Sequence, residues 1–289
     1  APLLPQRSRA NATHALAGRT AELRRGHAHP LTARRGAQVL LAVKQAIKER
    51  GGAATASAHA AALMGSLSQA QDEETTAAVV YVLSHALGAL PLNVLRAKFA
   101  PLADLVAATV ERHPGSAAVA RHGLQCAYVA IGAQEGAAWK TPQMARLVEL
   151  TLAHAIDPRP KVRRAAQQNL VEFMGGEGDA GAAARGVLEA RLVALCTSTF
   201  KACTSADAAS SQQLLGMLCD VAPRLSRKAL ASVVAQVLKL LASASDRTML
   251  AQLLSVLEAL VAPEGDAGPG RGTVDQPVAL PAATIAKAR

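Results

Sequence analysis

The sequence predicts an all-α protein assembled from short paired helices, and three observations carry that expectation. Of 289 residues, 51% are hydrophobic but only 2% are aromatic, namely three Phe, two Tyr and one Trp. Sixty-six positions are Ala, and Ala and Leu are the residues that lose least side-chain freedom in a helix. Sandwiches and barrels draw instead on β-branched and aromatic residues. Apolar residues recur at helical spacing, and stretches of roughly 12 to 20 residues are cut by Gly, Pro and Asp breaks. A chain of this length buries a sizeable core, at the size where single cores stop growing.

The first helix runs over 32–50, with Val39, Leu40, Val43 and Ile47 on one face. Gly51-Gly52 stops it, as glycine does just past a helix end. A second is expected over 55–69, with Ala61, Met64 and Leu67 as its inner face, and a third over 72–88, whose acids Asp72, Glu73 and Glu74 suit the positive end of the helix dipole. Pro91 and Pro101 bracket a short helix over 92–100, with a separate or kinked one over 102–112. After the turn His113-Pro114-Gly115 a helix covers 116–131. Thr141-Pro142 reads as an N-cap followed by an N1 proline and opens a helix to 156. Asp157-Pro158-Arg159-Pro160 is a tight joint before the helix over 161–174, and 175–181 reads as a Gly/acid loop. Further helices are expected over 182–201, 208–221, 226–242 and 246–261, with a linker or tail from 263 to 289.

The total is about ten or eleven helices at roughly 35 to 45 residues per pair, the period of HEAT- and armadillo-type α-solenoids. A compact α-bundle is the alternative. The domain organisation that follows is a basic, extended arm over 1–31, a HEAT-like α-solenoid over 32–262 and the tail over 263–289. One segment favours the solenoid. Asp157 precedes Arg163 by six, and Val162, Ala166 and Leu170 follow at i, i+4, i+8, a pattern that resembles the second helix of a HEAT repeat. In that motif the Asp caps the joint, the Arg reaches the Asp of a neighbouring repeat, and the small Ala admits close packing.

The formal charge of +10 is unevenly placed. Residues 1–50 hold ten Lys or Arg against Glu22 and Glu49, whereas the rest of the chain holds twenty-one against nineteen. The basic arm suits an anionic partner through phosphate or acidic-surface attraction, or reads as a solvated end kept soluble by its charge. Its Arg-rich start also resembles an organellar transit peptide, against which stand Pro2, Pro5 and Pro30. Candidate RNA or partner contacts are Arg7, Arg9, Arg19, Arg24, Arg25, Arg34 and Arg35, joined by Arg159, Lys161 and Arg164. For these last three a phosphate contact or import signal competes with a solvated helix start, whereas Arg163 reads as structural. With so few aromatics, any RNA contact should be to phosphate and shape, since base stacking needs ring faces.

The sequence gives no reason to expect catalytic residues, a cofactor or a metal site. Gly176-Glu177-Gly178-Asp179-Ala180-Gly181 matches G-x-G-x-x-G formally, but a helix precedes it and its two acids would repel a phosphate, so it reads as a flexible inter-helix loop. No Gly-Lys dipeptide exists for a P-loop, and no Cys/His cluster has zinc spacing. His59, His85, His122 and His154 fall within helices as surface or core residues. Cys126, Cys196, Cys203 and Cys219 sit in apolar helical contexts without pairing rhythm, which fits a reducing compartment. No run of 18 apolar residues exists to span a membrane.

Several blocks in order resemble the ribosomal-RNA-processing protein twelve family, HEAT-repeat factors of ribosome assembly. These are His59-Ala60-Ala61-Ala62-Leu63-Met64, then Thr76 to Leu83, then Pro91, Val94-Leu95 and Lys98-Phe99, then Trp139, and most distinctively Asp157 to Gln167. The likeness covers residues 35 to 262, and the chain, which starts at Ala1, reads as an N-terminal portion of a longer protein. The resemblance implies a nuclear and nucleolar factor, shuttling to the cytoplasm. It would bind pre-ribosomal RNA and assembly factors within a large ribonucleoprotein complex, support pre-rRNA processing and subunit export, and meet the Ran/karyopherin machinery. Competing expectations are a karyopherin-like or generic HEAT adaptor without RNA contact, and an organellar helical-repeat protein.

Overall fold

The computed structural model describes residues 30–53, 55–176, 178–201, 208–243 and 247–261. The expectations placed on 1–29 and on 262–289, including Arg7, Arg9, Arg19, Arg24 and Arg25, lie outside the described residues, as does Cys203. Among those described there are twelve α-helices and no strand, and the fold is all-α, built from stacked helix pairs of HEAT/armadillo type. The chain divides into two compact units, residues 1–133 and 134–289.

In the first unit α1 (Pro30–Glu49), α3 (Glu73–Leu87) and α6 (Ala117–Gly132) form one row, backed by α2 (Ala56–Gln69) and α5 (Phe99–Arg112), with the short α4 (Leu92–Ala97) leading into α5. Side-chain caps start α2, α3 and α6. Thr55, Asp72 and Ser116 accept the N–H groups of Ala58, Thr75 and Val119, satisfying donors that a helix start leaves open. The Thr75 bonds hold the Asp72 carboxyl below its usual range. At the other end of α1, Gly52 N–H donates to the Ile47 carbonyl and Gly51 N–H to Lys48, each at 3.0 Å. Gly51 sits at φ +67, the left-handed turn that closes a helix and that glycine adopts without strain.

Rows stack where small residues let them. A Cβ on Gly123 of α6 would fall 2.4 Å from Val110 Cγ2 of α5, so the helices meet at contact that any larger residue would break. Buried Cys126 directs its Sγ toward the Val80 carbonyl of α3 at 3.9 Å, and burial pushes its thiol up. Arg112 donates to the Ala70 carbonyl at 3.2 Å, tying the end of α5 to that of α2.

The second unit sets α7 (Pro142–His154), α9 (Gly178–Lys201) and α11 (Arg227–Ser243) in one row and α8 (Pro160–Met174), α10 (Ala208–Val221) and α12 (Arg247–Val261) in the other. Leu152, Leu170, Leu188, Leu192 and Met217 converge from four helices. The inner line of α9 is Ala184, Leu188, Leu192, Cys196 and Phe200, one residue per turn.

Three expectations need correction. The inner face of α2 is Ala60, Leu63 and Leu67, with Ala61 exposed. Where Ala falls on several sides of a helix, as at Ala56, Ala58, Ala60, Ala61 and Ala62, apolar spacing cannot fix its rotation. The break before α5 falls at Lys98, and Pro101 lies inside the first turn of α5, where a missing N–H costs nothing. The Gly-rich stretch is no open loop. Gly178, at φ +72, turns the chain into α9, and Gly181 packs so closely that a Cβ there would lie 2.2 Å from the Gly176 oxygen. The sequence also gave no sign of the 3-10 turn Gly136–Lys140, which buries Trp139 edge-on against Phe173 with ring centroids 6.3 Å apart.

Candidate nucleic-acid interface

The joint between α7 and α8 decides which of its positive charges can serve a partner. Pro160 at N1 opens α8, and Pro158 holds the residues before it in a turn. Asp157 Oδ1 accepts the Arg159 N–H and Nε, each at 2.8 Å, and Oδ2 accepts Nη2 at 2.6 Å. This is a two-pronged guanidinium–carboxylate pair of the strong kind. Burial acts to raise the Asp157 carboxyl, but the Arg159 hydrogen bonds and charge outweigh it and hold it below the usual range.

With the carboxylate saturated by its near neighbour, Arg163 turns to carbonyls of its own joint. Nη1 donates to Asp157 O at 2.7 Å and to Pro158 O at 3.2 Å. Gln167 completes the joint by donating to the Ala155 carbonyl at 2.9 Å. Val162, Ala166 and Leu170 point inward, none more than 2% exposed. Of the charges at this joint, Lys161 and Arg164 are exposed, while Arg159 is folded onto Asp157. The first turn of α8 contains no acid, so the positive end of the helix dipole adds to the field of these two cations.

The structure places the other described candidates on α1. Arg34 and Arg35 are both exposed, and Arg35 pairs with Glu74 of α3. Lys44, Lys48 and Arg50 lie exposed on or just after the same helix and were missed as candidates. Their spacing against the apolar set Val39, Val43 and Ile47 was the signal that could have found them. The one acid of α1, Glu49, accepts a bond from Gln45 at 2.8 Å.

Among the described residues no group of three or more His, Cys, Asp or Glu gathers to hold a metal ion. Burial pushes the Cys196 thiol up to about 12, far from the thiolate a nucleophile requires. Burial, aided by the Arg121 and His85 charges, lowers His122 to about 4, so it stands neutral against Tyr81 with ring centroids 5.0 Å apart. No helix of the described residues is long and apolar enough to cross a membrane.

Comparison with known proteins gives the same repeats a lineage. The RRP12-like protein of Homo sapiens is 32% identical over 142 residues, and that of Gallus gallus is 33% identical over 140. The Drosophila melanogaster RRP12-like protein is 30% identical over 140 residues. Each match takes in 48% of this chain and 10 to 11% of the relative, so the chain spans about a tenth of the length of the curated relatives it matches. The family described as "RRP12-like, N-terminal HEAT repeats" matches residues 34–266, a stretch that takes in every described helix from α2 to α12 and most of α1. A chain folded as stacked helix pairs and matched over that span belongs to the RRP12-like N-terminal HEAT-repeat family.

Proposed function

We propose that this chain is a non-catalytic helical-repeat scaffold in ribosome biogenesis. It binds precursor ribosomal particles through pre-rRNA and assembly factors, in the nucleus and nucleolus, and supports pre-rRNA processing and subunit export, in contact with the Ran/karyopherin machinery. The observation that carries this reading is the family match over residues 34–266. The exposed cations support its RNA-facing part. Lys161 and Arg164 stand outward from the α7–α8 joint, and the sequence before Pro30 adds Arg7, Arg9, Arg19, Arg24 and Arg25 against Glu22. Cations that neutralise phosphates release counterions, which makes the association steeply salt-dependent.

The test is ultraviolet crosslinking of the tagged chain in cells, with sedimentation of the particles it joins. Crosslinks to pre-rRNA are expected. Replacing these five arginines by Gln should weaken particle association more at low salt than at high salt, because fewer counterions are released, while leaving helicity intact. Crosslinks confined to protein, with no response to those substitutions, would replace this reading with the protein-binding adaptor, which the near-neutral body over 51–289 would suit.

A further inference from the structure

From the outward face of α1 we infer a docking seam for an acidic, leucine-bearing helix of another protein. Arg34, Ala37, Leu41, Lys44 and Lys48 follow one another at steps of three, four, three and four, and all five are exposed. That is the spacing by which one helix presents a continuous edge to a second. The edge is about 21 Å long at the helical rise of ~1.5 Å per residue. Its centre is apolar, since Leu41 is 67% exposed, the largest exposure of any large hydrophobic residue described. Its ends are basic, and Arg34, Lys44 and Lys48 have no acidic partner among the described residues. The inward side of the same helix is already taken by Val43, Ile47 and the close approach of Gly36 to Tyr81.

Charge selects the occupant. The preceding residues of this chain carry five arginines against Glu22, so they share the sign of the seam and are repelled by it. An RNA backbone would satisfy the cations but has no counterpart for Leu41. A helix with Leu at its centre and Glu or Asp toward its ends satisfies both. Its carboxylates near Arg34 would also meet the positive end of the α1 dipole, where the first turn holds no acid. The inference concerns the chemistry of the occupant and stands apart from which particle the chain joins.

The experiment uses the full chain and three labelled probes: a helical peptide about three heptads long with Leu at seam positions and Glu beside them, the same peptide with Lys for Glu, and a duplex RNA. The Glu peptide should bind and the Lys peptide should not. Leu41→Glu should cost tenfold or more, Lys44→Glu with Lys48→Glu a similar factor, and Ala190→Glu on α9 nothing. Circular dichroism checks that these surface substitutions leave the helices formed. In cells, a photo-crosslinking residue replacing Leu41 should capture protein segments whose mapped sequence pairs Glu or Asp with Leu at three-four spacing. Indifference to Leu41→Glu, equal binding of both peptides, or crosslinks from position 41 to RNA or to no protein would overturn the inference.

Discussion

Two clusters of positive charge in this chain look alike in sequence and differ in what the fold does with them. At the α7–α8 joint, Arg159 is clamped on Asp157 and Arg163 on two carbonyl oxygens, leaving Lys161 and Arg164 outward. On α1 and just after it, Arg35 pairs with Glu74, and Arg34, Lys44, Lys48 and Arg50 are exposed without an acidic partner among the described residues. A cation that closes a turn contributes to stability and little to recognition, and one held off the surface by a regular helix does the reverse. The lesson is that a basic run is a set of individual fates, decided by the backbone at each position.

Acid separates the two units most strongly. His122 in the first unit stays neutral in the fold because its value is lowered to about 4. The unfolded chain therefore takes up its proton first, and stability is lost as the pH falls from about 6.5 toward about 4, by on the order of 3 kcal/mol. Unfolding followed from neutral pH to pH 4.5 should show this loss, and His122→Phe should flatten it. In the second unit Asp157 is lowered as well, but from the ordinary carboxylate value, so its window lies at more acidic pH. Its contribution is present above the ordinary carboxylate value and is lost only as the pH falls below that through its lowered one. A pH profile unchanged by His122→Phe would break the distinction.

Next in size is Gly181→Ala. The added methyl meets the Gly176 backbone, and the strain should outweigh the gain in helix propensity for a net loss of about 2 kcal/mol. Chemical denaturation measures it, and an unchanged midpoint would mean that the α8–α9 turn is looser than described. Arg163→Ala should cost about 1 to 2 kcal/mol by leaving the Asp157 and Pro158 carbonyls short of a donor. The smallest stability effect belongs to the outward cations. Arg34→Gln or Arg164→Gln should shift unfolding by less than about 0.5 kcal/mol.

Much of this fold was legible because its punctuation is local. Asp72 and Thr141 announce helix starts and cap them, and Gly51-Gly52 announces an end and closes it. The HEAT-like positions Val162, Ala166 and Leu170 are buried as their spacing implies. What escaped depends on distance or on surplus. Trp139 finds Phe173 thirty-four residues on, a meeting no local pattern encodes. The rotation of α2 escaped because alanine on several sides erases the contrast between faces. The candidate surface was half legible. Lys161 and Arg164 were named as candidates and are exposed, but Arg159 folds back on Asp157 through a turn set by Pro158 and Pro160. Residue types predict charge, and backbone direction decides where it goes.

Outward cations are expected to bind the particle while the clamped ones hold the joint. The most direct test is the salt dependence of binding to purified pre-ribosomal particles, for Lys161→Gln/Arg164→Gln beside Arg163→Gln. The outward pair should flatten the slope of log affinity against log salt by about 1.5 to 2, with the unfolding midpoint unchanged. Arg163→Gln should lower the midpoint and leave the slope alone. The reverse outcome, a slope set by Arg163 and indifferent to Lys161 and Arg164, would contradict the account.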